Sequence, residues 1–318
     1  MIAFRNTPFN DEQKKELTAL CTSGGYQVKW YEKNEEVQIK DIQNAKALMG
    51  YFPAECLKEL ASLKWLQVPS AGVDRLCGNI YASESVVLTN SSGAFGAAIS
   101  EYMLCGLMML MKSFPAYMKN QRAHAWERNF PCRSMTQSTI AVVGMGDIGR
   151  EFARRAKAMG AYIRGVKRTP AEPDELFDEV YTASDLKKAV KGVDAVVMSL
   201  PGTHETRKIL SCEIIGSLDQ KTIIVNAGRG ATIDQEALTE ALVSGKIAGA
   251  VLDVFEKEPL DENSPLWDLE NVIVTPHISG SDFDDVNAVR IFNIFKENLT
   301  RFIENKPLMN VVDRSLGY

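Results

Sequence analysis

Three short segments hold most of the residues that could do chemistry. They are Asn226-Ala227-Gly228-Arg229-Gly230, Asp253-Val254-Phe255-Glu256-Lys257-Glu258-Pro259 and Thr275-Pro276-His277-Ile278-Ser279-Gly280. Each follows a run of β-branched and other apolar residues and reads as the end of a strand, where sites form in α/β sheets. Together they offer a cation between glycines, an acid before a proline and a histidine after one. These are the parts needed to reduce a carbonyl beside a carboxylate. A guanidinium fork, here Arg229, grips the carboxylate and polarises the carbonyl. An imidazolium, His277, gives a proton to the oxygen as hydride arrives at carbon. A carboxylate behind the imidazole, Glu258, orients the ring and favours its charged form.

Each assignment has a competitor. Glu256 lies close enough to replace Glu258. His124 sits in a polar helical stretch, and His204 in a PGTHET turn that can cap a helix. Asp253 has two readings, a ligand contact or a strand-end acid that bonds nearby backbone.

A fourth segment implies a dinucleotide. The strand TIAVV runs into Gly144-Met145-Gly146-Asp147-Ile148-Gly149, followed by the helical pattern REFARRAKAMG. Gly144 allows the tight turn, Gly146 lets backbone approach a pyrophosphate, and Gly149 lets helix and strand pack closely. The helix start then offers free N–H groups to phosphate. Gly144, Gly146, Asp147, Ile148 and Gly149 are therefore candidate cofactor contacts, although the Asp147 carboxylate would repel a phosphate it faced. The next strand ends in Lys167-Arg168, about 18 residues after Gly149, where NAD enzymes commonly carry a ribose-binding acid. Cations there suit a 2′-phosphate, so NADP(H) is expected in preference to NAD(H). The alternative leaves both cations solvated, with Glu172 or Asp174 reaching the ribose. Arg150, Arg154 and Arg155 read as a solvated helix face.

Short apolar strands alternate with amphipathic helices, which predicts an α/β protein with two doubly wound parallel sheets. Strands are read at 26–31, 45–51, 65–69 and 86–89, with helices at 11–21 and 54–62. One long helical stretch covers about 95–127. After the second series of strands, a last helix runs from about Asp282 to Asn305. A second domain, 97–280, is expected as an insertion in a first built from 1–96 and 281–318. The 318 residues suffice for both cores. A net charge of −5 without a basic block argues against nucleic acid as a partner. No export signal or spanning segment is read, so a cytoplasmic protein with no membrane partner is expected. Six scattered cysteines and three histidines give no metal-ligand spacing, and no metal is expected.

These motifs together resemble the D-isomer-specific 2-hydroxyacid dehydrogenases, a group that includes phosphoglycerate dehydrogenases and glyoxylate/hydroxypyruvate reductases. The likeness spans essentially the whole chain. It implies a Rossmann domain inserted into a flavodoxin-like substrate domain, and an oxidoreductase moving hydride between NADP(H) or NAD(H) and a small 2-oxo acid. It also implies domain closure and a homodimer through about 97–137. Arg229, Glu258 and His277 match the family's catalytic residues. Asp253 matches a residue holding the nicotinamide carboxamide. Leu200, Pro201, Ala227, Gly228 and Gly280 match positions lining the cofactor. Ser70-Ala71-Gly72-Val73 resembles the loop whose N–H groups hold the substrate carboxylate. Asn90-Ser91-Ser92-Gly93 and Asn310-Val311-Val312-Asp313 resemble further family segments. Two other readings remain. One is D-3-phosphoglycerate dehydrogenase, with Arg75 and Lys64 as phosphate candidates. The other is a dinucleotide-sensing binding protein of the corepressor type.

Overall fold

The computed structural model describes residues 1–128, 130–281 and 285–318. The chain forms two compact units, Met1–Phe95 with Ser281–Tyr318, and Gly96–Gly280.

The first unit opens with β1 (Ile2–Arg5), α1 (Asp11–Ser23), β2 (Val28–Tyr31), α2 (Ile39–Ile42) and β3 (Ala47–Gly50). It continues through α3 (Ala54–Leu57), β4 (Trp65–Gln67) and β5 (Val87–Thr89). All pairings are parallel, in the order β2-β1-β3-β4-β5, which is the flavodoxin-like arrangement. Asn10 starts α1 with a capping box: its side chain accepts from the Gln13 N–H, and the Gln13 side chain accepts from the Asn10 N–H. The structure corrects two expectations here. The sequence shows no strand before residue 26, because four residues at the chain start offer no periodicity to detect. Yet Ile2, Ala3 and Phe4 are fully buried in a strand that lies between β2 and β3. The helix expected over 54–62 is a single turn, Ala54–Leu57.

The second unit begins with α4 (Gly96–Met111) and α5 (Phe114–Arg122). It runs on through β6 (Thr139–Val143), α6 (Asp147–Ala158), β7 (Tyr162–Lys167), β8 (Glu179–Thr182), α7 (Leu186–Ala189) and β9 (Ala195–Met198). Then come α8 (Cys212–Gly216), β10 (Ile223–Asn226), α9 (Gln235–Val243), β11 (Gly249–Leu252) and β12 (Val272–Val274). The seven parallel strands lie in the order β12-β11-β10-β9-β6-β7-β8. Strand order therefore reverses between β6 and β9. In open α/β sheets, ligands bind outside the strand C-termini at such a switch point. β8 is a half-buried edge strand, EVYT, whose polar ends hide it from a hydropathy reading. The long helical stretch breaks at Ser113, which takes the left-handed φ of 55° just before Phe114-Pro115. No single helix among the described residues is long and apolar enough to cross a membrane.

α10 (Asp285–Ile303) belongs to the first unit. The expected helix start at Asp282 lies outside the described residues. Phe9 packs edge-on to Phe292 and Phe295, and Trp65 lies 5.0 Å from Phe302, which seats α10 on the first sheet. A buried polar network closes this seam. Asn298 Nδ2 donates to Gln67 Oε1 at 2.8 Å and to the Met309 carbonyl at 3.0 Å. Thr89 donates to the same Gln67 oxygen and accepts from the Trp65 indole.

Candidate active site

The glycine turn sits at the switch point. Gly144 follows β6 with φ 108°, open to glycine and strained for other residues. A Cβ there would meet Leu200 and Ser199 of the loop after β9 at about 3.2 Å. A Cβ on Gly149 would overlap the Gly144 carbonyl oxygen, so the close approach of α6 to the strand end demands glycine. A Cβ on Gly146 would meet nothing within 4 Å, and no side chain caps α6. The result is an open helix start whose N–H groups fit a pyrophosphate. Asp147 lies against Gly96, the first residue of α4, where a Cβ would sit 2.6–2.7 Å from the carboxylate. Ile148 follows in the first turn of α6.

Arg150, read in the sequence as part of a solvated helix face, keeps 40% side-chain exposure while it bonds Asp174 at 2.7 Å and stacks over Phe177, 5.6 Å from its ring centre. Asp174 also accepts from the Leu176 and Phe177 N–H groups, so it folds over its own loop. Lys167 ends β7 half-buried, while Arg168 is exposed, with Glu205 3.9 Å away.

The catalytic candidates stand on the loops after β10, β11 and β12. His277 Nδ1 lies 2.9 Å from Glu258 Oε2, and Glu258 Oε1 accepts from the Phe255 N–H at 3.1 Å. An ionised carboxylate only accepts, so Nδ1 carries the shared hydrogen and Nε2 is left for a substrate oxygen. The His277 side chain keeps 46% exposure. Of the three histidines it is the one with a carboxylate partner among the described residues; His124 and His204 are exposed. Glu256 reaches Lys208 instead, at 3.7 Å. Glu258–Pro259 is a cis peptide.

Arg229 stands half-buried in the turn after β10. Asn226, 1% exposed, shapes this turn: its side chain accepts from the Gly228 N–H and donates to the Arg229 carbonyl. A Cβ on Gly230 would overlap the Phe255 carbonyl carbon, so the arginine turn packs directly on the segment that carries Glu258. Ala227 and Gly228 are buried beside the Ser199–Leu200 backbone, with Pro201 next in line.

Asp253 is fully buried. Its carboxylate accepts from Thr275 Oγ1 at 2.6 Å and from the Ile278 and Ser279 N–H groups at 2.9 Å each. Its carbonyl accepts from the His277 N–H. The acid thus holds the Thr275–Gly280 turn, the strand-end role that is one of its two sequence readings.

In the first unit, the Ser70–Val73 loop follows β4. Asn90 Nδ2 donates to the Ala71 carbonyl, Ser70 Oγ to the Gly72 carbonyl, and the Ser91 N–H to the Ser70 carbonyl. Asn310 in turn donates to the Ser92 carbonyl at 2.8 Å. The carbonyls of the loop are thereby occupied, which suits its N–H groups to an anion.

This chain belongs to the D-isomer specific 2-hydroxyacid dehydrogenase family, whose NAD binding domain matches residues 104–279. It is 32% identical over 268 residues to hydroxypyruvate reductase of Thermotoga maritima, covering 82% of this chain and 85% of that one. It is 30% identical over 272 residues to D-3-phosphoglycerate dehydrogenase of Methanocaldococcus jannaschii, covering 83% and 51%. The chain spans about half the length of the phosphoglycerate dehydrogenases it matches first. The crystal structure of NADPH-dependent glyoxylate/hydroxypyruvate reductase from Sinorhizobium meliloti, in complex with NADP and sulfate, is similar at a TM-score of 0.84. Its identity is 27%, over 100% of this chain and 99% of that one.

Proposed function

We propose that this protein is an NADP(H)-preferring reductase that converts small 2-oxo acids of the glyoxylate and hydroxypyruvate type to D-2-hydroxy acids. The observation that carries the reading is the Glu258–His277 pair, built on a turn that packs against the Arg229 turn. Arg229 grips the substrate carboxylate and polarises the carbonyl. His277 delivers its Nε2 proton to the carbonyl oxygen, and Glu258 holds the ring and balances its charge. The chemistry a bound NADP(H) supplies is hydride transfer to the carbonyl carbon. Gly144–Gly149 and the α6 start hold its pyrophosphate, while Leu200, Pro201, Ala227, Gly228 and Gly280 line its path. Lys167 and Arg168 take the 2′-phosphate. The tie between Asp174 and Arg150 gives one ribose-binding rival a different partner, which supports that preference. In this reading residues 97–280 hold the nucleotide, and residues 1–96 with 281–318 form the substrate domain, whose Ser70–Val73 N–H groups suit a carboxylate. Phe114, Met118 and Trp126, the last 89% exposed, offer an apolar surface for a homodimer.

A second reading, D-3-phosphoglycerate dehydrogenase, draws on the Methanocaldococcus relative. Its phosphate candidates separate on geometry. Arg75 follows the Ser70–Val73 loop, whereas Lys64 precedes β4, at the opposite end of the strand.

The test is turnover of glyoxylate, hydroxypyruvate, pyruvate, phenylpyruvate and 3-phosphohydroxypyruvate, each with NADPH and NADH. Glyoxylate or hydroxypyruvate with NADPH should give the highest kcat/KM. A preference for the phosphorylated acid selects the second reading, and a preference for NADH overturns the role of Lys167 and Arg168. His277→Ala should lower kcat by about 10²–10⁴-fold while calorimetric NADPH affinity stays within about twofold.

A further inference from the structure

The turn that presents His277 is braced from α4. Thr275 Oγ1 lies 2.6 Å from Asp253 Oδ1 and 2.6 Å from the Tyr102 hydroxyl. A threonine hydroxyl has one hydrogen to give. Asp253 already accepts two backbone N–H groups, the pattern of an ionised carboxylate, so Thr275 spends its hydrogen there. Tyr102 must then be the donor to Thr275. The direction of the chain is fixed: Tyr102 to Thr275 to Asp253. Burial pushes the Tyr102 phenol up to about 12, so it keeps its hydrogen through the neutral range.

The brace matters because His277 is held in an unfavourable conformation. Its φ is 55°, in the left-handed region that non-glycine residues seldom occupy. Such a residue persists only where its surroundings over-determine it. Around His277 that work falls to Asp253, whose carbonyl takes the His277 N–H and whose carboxylate takes the next two. Thr275 sets the rotation of that carboxylate, and Tyr102 sets Thr275.

We propose that Tyr102 is a positioning residue for the proton donor: through Thr275 and Asp253 it fixes the turn that aims His277, without touching substrate or nucleotide. The inference rests on the reading of His277 as proton donor.

The test compares Tyr102→Phe, which deletes one hydroxyl, with Thr275→Val and Thr275→Ser. Three quantities are read: kcat, substrate KM, and NADPH affinity with binding stoichiometry by calorimetry. Tyr102→Phe should lower kcat about fivefold to tenfold. NADPH affinity should stay within about twofold and stoichiometry should not change, which separates a slower enzyme from a smaller folded fraction. Thr275→Val should lower kcat at least as far, and Thr275→Ser, which keeps the hydroxyl, should restore it to within about twofold of wild type. Wild-type kcat in Tyr102→Phe, or equal losses in the serine and valine variants, would overturn the proposal. So would a kcat loss matched by lost stoichiometry. Should Tyr102→Phe fail to fold, the serine–valine contrast decides alone. Unchanged kcat in His277→Ala overturns the parent reading as well; a loss there with none in Tyr102→Phe overturns only this inference.

Discussion

Two turns on the same edge of the seven-stranded sheet are built on opposite principles. Gly144–Gly149 is shaped by the absence of side chains: a left-handed glycine, an open position at Gly146, and a helix pressed on a carbonyl at Gly149. Thr275–Gly280 is shaped by their presence, since one buried carboxylate gathers a hydroxyl and two N–H groups and forces a histidine into left-handed backbone. The first turn therefore breaks when atoms are added, the second when they are removed. In the proposed function the difference suits their tasks. A phosphate is held by backbone, so that turn needs bare backbone. A proton must leave from one ring nitrogen, so the other turn needs side-chain leverage.

Adding one methyl in two places sharpens this comparison. At Gly149 the new Cβ has nowhere to go, because the obstacle is backbone. Gly149→Ala should cost about 3 kcal/mol, on the order of 6–12 °C in Tm, and abolish measurable NADPH binding. A melt within about 2 °C of wild type would show that helix and strand are not so tightly apposed. At Gly146 the same methyl enters open space and the backbone φ of −80° is ordinary. Gly146→Ala should change stability by less than about 1 kcal/mol yet weaken NADPH binding about tenfold in calorimetry. Unchanged affinity would mean that no phosphate approaches there.

Legibility in the sequence follows the same division. A turn defined by missing side chains leaves a local signature, GMGDIG between a strand and a helix, and it is readable together with Arg229, Glu258 and His277 at strand ends. A turn defined by a bond between residues 173 positions apart, Tyr102 and Thr275, leaves none. For the same reason the sequence does not show the bonds by which Asp253 gathers Thr275, Ile278 and Ser279. β1 and β8 escape because one is too short and the other too polar to show a period. The break between α4 and α5 does leave a trace. Pro115 lacks the N–H that continuing α4 would need and is tolerated in the first turn of a new helix, but the apolar run YMLCGLMMLM masks that signal.

The contact between Asp147 and Gly96 settles an apparent contradiction. A helix start suited to anions carries an anion of its own, which would face incoming phosphate if it stood upright. It packs against the first residue of the neighbouring helix, which has no side chain. Gly96 thus makes room for that charge, and a Cβ there would collide with the carboxylate and force it to move; in the proposed function such a change would bear on pyrophosphate binding.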